Sequence, residues 1–200
     1  VIDNGIDLPS ETADLGFAAQ LAKAGYSTSL LGKAHFTSKA TVEPTGSPEC
    51  QFSSTDYDED WFGPYMGFDH VELMVMGHFQ RRLPPGHKYL LPFEPPHGQH
   101  FERWFHSRGT AGEARRAWEE SSDGNGLLAA QTWNSALPEK WHTSTWVADR
   151  TIKFLQSAQS EDKPFCLWSS FPDPHHPFDC PAPWNNMYDP SEVDIPVHRF

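Results

Sequence analysis

Positive charge is scarce in this chain. Lys and Arg number 15 against 27 Asp and Glu, a formal net charge of −12 at pH 7, and the longest basic runs are the pairs Arg81-Arg82 and Arg115-Arg116. Binding a nucleic-acid backbone requires a basic face that displaces counterions from the phosphates, so no nucleic-acid partner is expected. Long apolar runs are missing too: no stretch approaches the roughly 20 residues of a membrane-spanning helix, and no membrane span is expected. Cysteine is limited to Cys50, Cys166 and Cys180, an odd number without metal-ligand spacing. That usage reads as two packed thiols and one surface thiol, not a disulfide framework. What remains is 200 residues with 38% hydrophobic and 14% aromatic content, too apolar for disorder and long enough to bury one domain core.

Two stretches carry chemistry. Gly25-Tyr26-Ser27-Thr28-Ser29-Leu30-Leu31-Gly32-Lys33-Ala34-His35 ends an apolar run with a cation and an imidazole two positions apart. A helix leads into it. Ser10 is placed to cap, Glu11 and Asp14 sit in the first turn, Ala13, Phe17, Leu21 and Ala24 form a stripe, and Gly25 stops it. Tyr26 to Leu31 then reads as a strand. In open α/β sheets ligands collect beyond the carboxyl ends of strands, where Lys33 and His35 fall, and alternation puts the two side chains on one side. Alone, the motif reads equally as a surface lysine and a packed histidine.

The second stretch changes that balance. A helix from near Ser144 presents Val147, Thr151, Phe154 or Leu155, and Ala158 on one face, with Asp149 and Lys153 spaced as an i, i+4 ion pair. Ser160-Glu161-Asp162-Lys163-Pro164 breaks it, Phe165 to Phe171 has strand length, and Pro172-Asp173-Pro174-His175-His176-Pro177-Phe178 follows. Helix, strand and polar residues thus recur in the same order. The prolines stiffen this loop and favour extended geometry, in which His175 faces the ligand and His176 points elsewhere, supporting it from behind. Asp173 is placed to cap the turn. Trp168, Phe171, Phe17 and Leu21 read as core.

Gly25-Tyr26-x-Thr28-x-x-x-Gly32-Lys33-x-His35 resembles the second signature of the sulfatase family, and Ser170-Phe171-Pro172-Asp173-Pro174-His175-His176-Pro177-Phe178 is similar to that family's Pro-His-x-Pro segment. Between them, Gly67-Phe68-Asp69 resembles the Gly-Phe-Asp step that follows the second signature, and Thr145-Trp146-Val147-Ala148-Asp149-Arg150 the start of the family's next helix. The resemblance implies an α/β fold of the alkaline-phosphatase type, with a mostly parallel sheet flanked by helices, and hydrolysis of a small-molecule or saccharide sulfate ester. By position it implies that Lys33 binds the sulfate oxygens, that His35 hydrogen-bonds the nucleophile, and that His175 contacts the ester near its leaving oxygen. These residue types suit the reaction. Charge spreading over a transferring sulfuryl group is met by fixed cations and N–H donors, and imidazole exchanges protons near neutrality. Leu31 and Ala34 depart from the family pattern, which has a smaller or β-branched residue and an aromatic there.

The family's other machinery has no counterpart in this sequence. Its nucleophile is a cysteine converted to formylglycine in a Cys-x-Pro-Ser-Arg or Cys-x-Ala-x-Arg setting, which Cys50, Cys166 and Cys180 do not match. Its metal ligands are unmatched as well. The resemblance therefore implies a formylglycine and a divalent metal, calcium or magnesium, with residues outside this chain, and no metal ligand is assigned within it. Residues 1–200 accordingly read as an internal part of one sulfatase-like catalytic domain. Within it, 36–142 reads as a long loop-rich insertion or cap, with one amphipathic helix predicted from Ala111 to Ser121 and with Trp61, Phe62, Tyr65, Trp104 and Trp133 packing or binding. His78, His87, His97, His100, His106 and His142 lack metal-ligand spacing and read as scattered surface residues. Three functions compete: a sulfate ester hydrolase, a phosphonate or phosphate diester hydrolase using the same lysine and histidines, and a non-catalytic anion-binding domain.

Overall fold

The computed structural model describes residues 7–38, 43–77, 93–109, 112–114, 116, 127–129, 132–135, 137–176, 178–194 and 197. Three strands, β1 (Ser27–Gly32), β2 (His70–Leu73) and, later in the chain, β5 (Phe165–Ser170), form a parallel sheet in the order β2-β1-β5. A second sheet is built from β3 (Leu127–Ala129), β4 (Thr132–Ser135) and β6 (Phe178–Pro181), with β3 antiparallel and β6 parallel to β4. Helices α1 (Phe17–Lys23), α2 (His100–Ser107) and α3 (Thr143–Ala158) flank the parallel sheet. The fold is α/β and consistent with an alkaline-phosphatase-like domain, as the sequence implies.

The central strand carries the burial. Thr28 to Gly32 is buried along its whole length, as expected of a parallel strand covered on both faces. Leu30 joins Ala18, Ala34, Phe68, Val71 and Leu73 in a cluster under α1, while Met74, Phe101, Phe105, Trp146 and Val147 form a second cluster with α2 and α3. Burying each such leucine contributes roughly 1.5–3 kcal/mol. β2 alternates cleanly, with Val71 and Leu73 buried and His70 and Glu72 half-buried. The Gly-Phe-Asp step proves to be a docking turn. A Cβ on Gly67 would lie 2.8 Å from the Ala19 nitrogen, Phe68 is buried, and Asp69 N–H donates to the Thr28 carbonyl at 3.1 Å.

Several local expectations are corrected. The first helix does not run from Ser10: Ser10–Leu15 is a 3-10 segment, extended backbone at Gly16 interrupts it, and α1 begins at Phe17. Asp149 and Lys153 form no ion pair. The ion pair that the helix does make is from Arg150 to Glu72 on β2, at 3.2 Å, while an exposed i, i+4 pair gains too little in water to hold two long side chains together. Trp168, Phe171 and Phe17 are 36%, 45% and 56% exposed and so are not core. For Trp168 and Phe171 the cause is that β5 is an edge strand, paired to β1 on one side only among the described strands, while Phe17 opens α1 and lies against Trp168. The 36–142 stretch supplies β2 and α2, and Trp61, Tyr65 and Trp104 pack against the two clusters. The helix predicted from Ala111 to Ser121 lies largely outside the described residues, as do His78 and His87. Cys50 is buried, Cys166 half-buried and Cys180 exposed, with no disulfide among them.

Candidate functional site

The carboxyl ends of β1 and β5 are clasped together. Gly32 sits at φ +116°, and a Cβ there would lie 2.0 Å from the Ser170 carbonyl oxygen, so only glycine allows the two strands to meet this closely. One residue on, Lys33 N–H donates to the Ser170 carbonyl at 3.1 Å and Ser170 Oγ donates back to the Lys33 carbonyl at 2.7 Å. Residues 137 positions apart in the chain thereby share one strand-end platform. The segment leaving β2 joins them, since Met74 N–H donates to the Gly32 carbonyl and Gly77 lies against Pro172.

Beyond Lys33 the chain is tied down by buried polar groups. Lys33 and His35 are half-buried, and Ala34 between them is 2% exposed in the α1-side cluster. Its methyl group is therefore a packing contact, not a shortened pocket wall. Glu49, fully buried, accepts the Phe36 N–H at 3.0 Å and the Tyr65 hydroxyl at 2.7 Å on the same oxygen. Burial, then the Glu49 charge, pushes the Tyr65 phenol far up, so its hydroxyl remains a donor. Thr37 and Ser47 share a hydrogen bond at 2.6 Å, and Ser38 N–H donates to Asp7 at 2.6 Å. The role of Glu49 escapes a sequence reading because its partners lie 13 and 16 positions away with no periodic spacing.

The second motif is a turn, not an extended segment. His175 N–H donates to the Pro172 carbonyl at 3.0 Å, and His175 Nδ1 donates to the His176 carbonyl. The two exposed imidazoles stack, with centroids 4.3 Å apart and planes at 26°, so His176 lies against His175 and does not face the opposite way. The local hydrogen bond wins over extended geometry because a side-chain tether holds the turn from outside. Asp173 accepts the hydroxyl of Ser144 in the first turn of α3, instead of capping its own turn. His142, just before α3, donates from Nε2 to the Asp179 carbonyl at 3.2 Å and lies 4.0 Å from Asp173 through Nδ1. Burial holds the His142 pKa down against the pull of Asp173. Burial likewise pushes Asp179 up to about 7, with Ser135 opposing and the Asp173 charge adding to it, and Cys180 is raised by burial and by both aspartates. His100 and His142 are thus packed stitches, not surface residues: His100 accepts the Leu73 N–H at 3.0 Å and donates to the Trp61 carbonyl at 2.9 Å.

Among the described residues no three His, Cys, Asp or Glu side chains converge as a metal site. The resemblance puts the ligands of its divalent metal outside this chain. No family profile matches the chain. Over 106 residues the chain is 30% identical to the uncharacterized sulfatase YidJ of Escherichia coli strain K12, a match covering 52% of this chain and 21% of that protein. The chain is sulfatase-like over that stretch and spans about a fifth of the relative's length.

Proposed function

We propose that this chain contributes the anion-binding and proton-donating part of a sulfate ester hydrolase. The observation that carries the reading is the clasp between Lys33 and Ser170, which joins the two motif-bearing loops at one end of a parallel sheet. The likeness to YidJ supports the same reading. In net terms, water replaces the alcohol oxygen on sulfur, the ester S–O bond breaks, and a proton reaches the leaving oxygen. Lys33 meets the charge on the non-bridging oxygens, where a fixed cation lowers the barrier if it fits the transition state better than the ground state. His35 orients the attacking group. His175, with Nδ1 committed to the His176 carbonyl, presents Nε2 as its proton-exchanging nitrogen and gives that proton to the leaving oxygen.

In the full-length protein, Lys33→Ala should lower turnover of 4-nitrophenyl sulfate by a hundredfold or more while leaving the melting temperature near that of the parent. His175→Ala should cost about a hundredfold. His176→Ala should cost distinctly less, since it removes a stacked ring and keeps the carbonyl that holds His175. Unchanged turnover in Lys33→Ala returns that lysine to the solvated surface. Turnover of a phosphate diester but of no sulfate ester would favour the related hydrolase.

A further inference from the structure

A cavity of about 770 Å³ opens between the start of α3 and the segment that follows β5. It lies at the same end of the sheet as Lys33. Its wall includes Phe171, next to the Ser170 that holds Lys33, and Asp173, in the turn that carries His175. Phe178 and Trp184, both about half exposed, add aromatic surface. The charged side chains around it are all of one sign: Glu139 and Asp173 line the cavity, Asp179 joins them as a carboxylate above its raised pKa of about 7, and no lysine or arginine does. The one imidazole in the wall, His142, is engaged with the Asp179 carbonyl and with the Ser144 N–H, an arrangement that needs the neutral ring.

From this we infer that the cavity receives the alcohol portion of the ester, and that its substrate class is esters of uncharged or cationic aromatic alcohols, not of alcohols bearing further negative charge. The inference rests on the hydrolase reading above and narrows it. Lys33, held at the strand end whose neighbour Phe171 enters an acidic, aromatic hollow, divides the work with it: one charge is accepted at the sulfur, and a second on the alcohol is repelled by carboxylates in a partly desolvated site. Aromatic walls supply most of the remaining affinity and attract a cation through their faces.

The test uses the full-length protein and three aryl sulfates of similar leaving ability, bearing para methyl, para aminomethyl and para carboxymethyl groups. At pH 8, where Asp179 is ionised as well, the ratio of kcat/KM for the aminomethyl over the carboxymethyl ester should be tenfold or more, and Glu139→Gln with Asp179→Asn should reduce it at least threefold. Trp184→Ala should lower kcat/KM for all three. A ratio near one, or a ratio untouched by the double variant when Lys33→Ala still abolishes turnover of the methyl ester, overturns the cavity assignment and leaves the hydrolase reading standing. Should none of the esters turn over, the hydrolase reading fails, and equilibrium binding of the free phenols decides the cavity separately. Quenching of Trp184 fluorescence, isolated by subtracting the Trp184→Phe signal, should then favour 4-(aminomethyl)phenol over the carboxymethyl phenol. Equal or absent binding of both overturns the inference. If the double variant fails to melt cooperatively, Glu139→Gln alone carries the test.

Discussion

At the scale of single residues, the stability of this molecule depends on histidines that must stay neutral. His100 both accepts from Leu73 N–H and donates to the Trp61 carbonyl, which the protonated ring cannot do, and burial pushes its pKa down to about 4 despite the opposing charge of Glu72. The unfolded chain takes up that proton near pH 6.5, so folded and unfolded states bind protons differently only below that value. The stabilisation from the neutral ring is therefore complete above about pH 6.5 and lost as the pH falls toward 4, and His142 acts in the same direction. The loss from His100 is on the order of 3 kcal/mol. Urea denaturation at a series of pH values should show it, and His100→Gln, whose amide can both accept and donate, should flatten the slope between pH 6.5 and 4. An unchanged slope in that variant would place the titration elsewhere.

At the scale of elements, glycines separate turns that are merely permitted from contacts that are required. Gly25 and Gly32 both have positive φ, +93° and +116°, but a Cβ on Gly25 meets nothing within 4 Å while one on Gly32 strikes the Ser170 carbonyl. Gly25→Ala should cost about 1 kcal/mol, the ordinary penalty for a side chain in that region. Gly32→Ala should cost about 3 kcal/mol or more, because β1 and β5 must separate, and it should also displace Lys33. Chemical denaturation of the two variants side by side measures the difference, and equal losses would refute the clasp. These elements also mark what a sequence can reveal. The strands β1 and β5 and the helix α3 were legible because apolar runs of strand length bounded by turn residues and an amphipathic period leave local signatures. The ion pair from Arg150 to Glu72 and the turn at His175, tethered through Asp173 to Ser144, were not, because each is decided by a partner distant in the chain. Lys33, His35 and His175 could be named from their motifs, whereas Glu49 is visible only once Phe36 and Tyr65 meet, and Asp179 and the Ser144 tether only once α3 and the strand ends are brought together.

At the scale of the whole molecule, the described surface is uneven. One edge of β5 has no strand beside it among the described residues, and Phe165, Phe171 and Leu155 in and around β5 and α3 are 42%, 45% and 44% exposed. Farther along, Met187 and Tyr188 are 59% and 79% exposed. Unpaired strand edges and apolar faces of this kind recruit other chains. The 200-residue chain prepared alone should therefore bind a hydrophobic dye and associate with increasing concentration, as read by light scattering. It should also turn over no sulfate ester with or without added calcium or magnesium. Residues that act as a unit lose nearly all their effect when part of the set is missing, and Lys33, His35 and His175 have neither an activated nucleophile nor a convergent metal site among the described residues. A monomeric, dye-silent chain would refute the open-edge reading. Turnover above blank that disappears on Lys33→Ala would require a nucleophile within the chain, and Cys180, exposed beside Asp173 and Asp179, would be the first to replace.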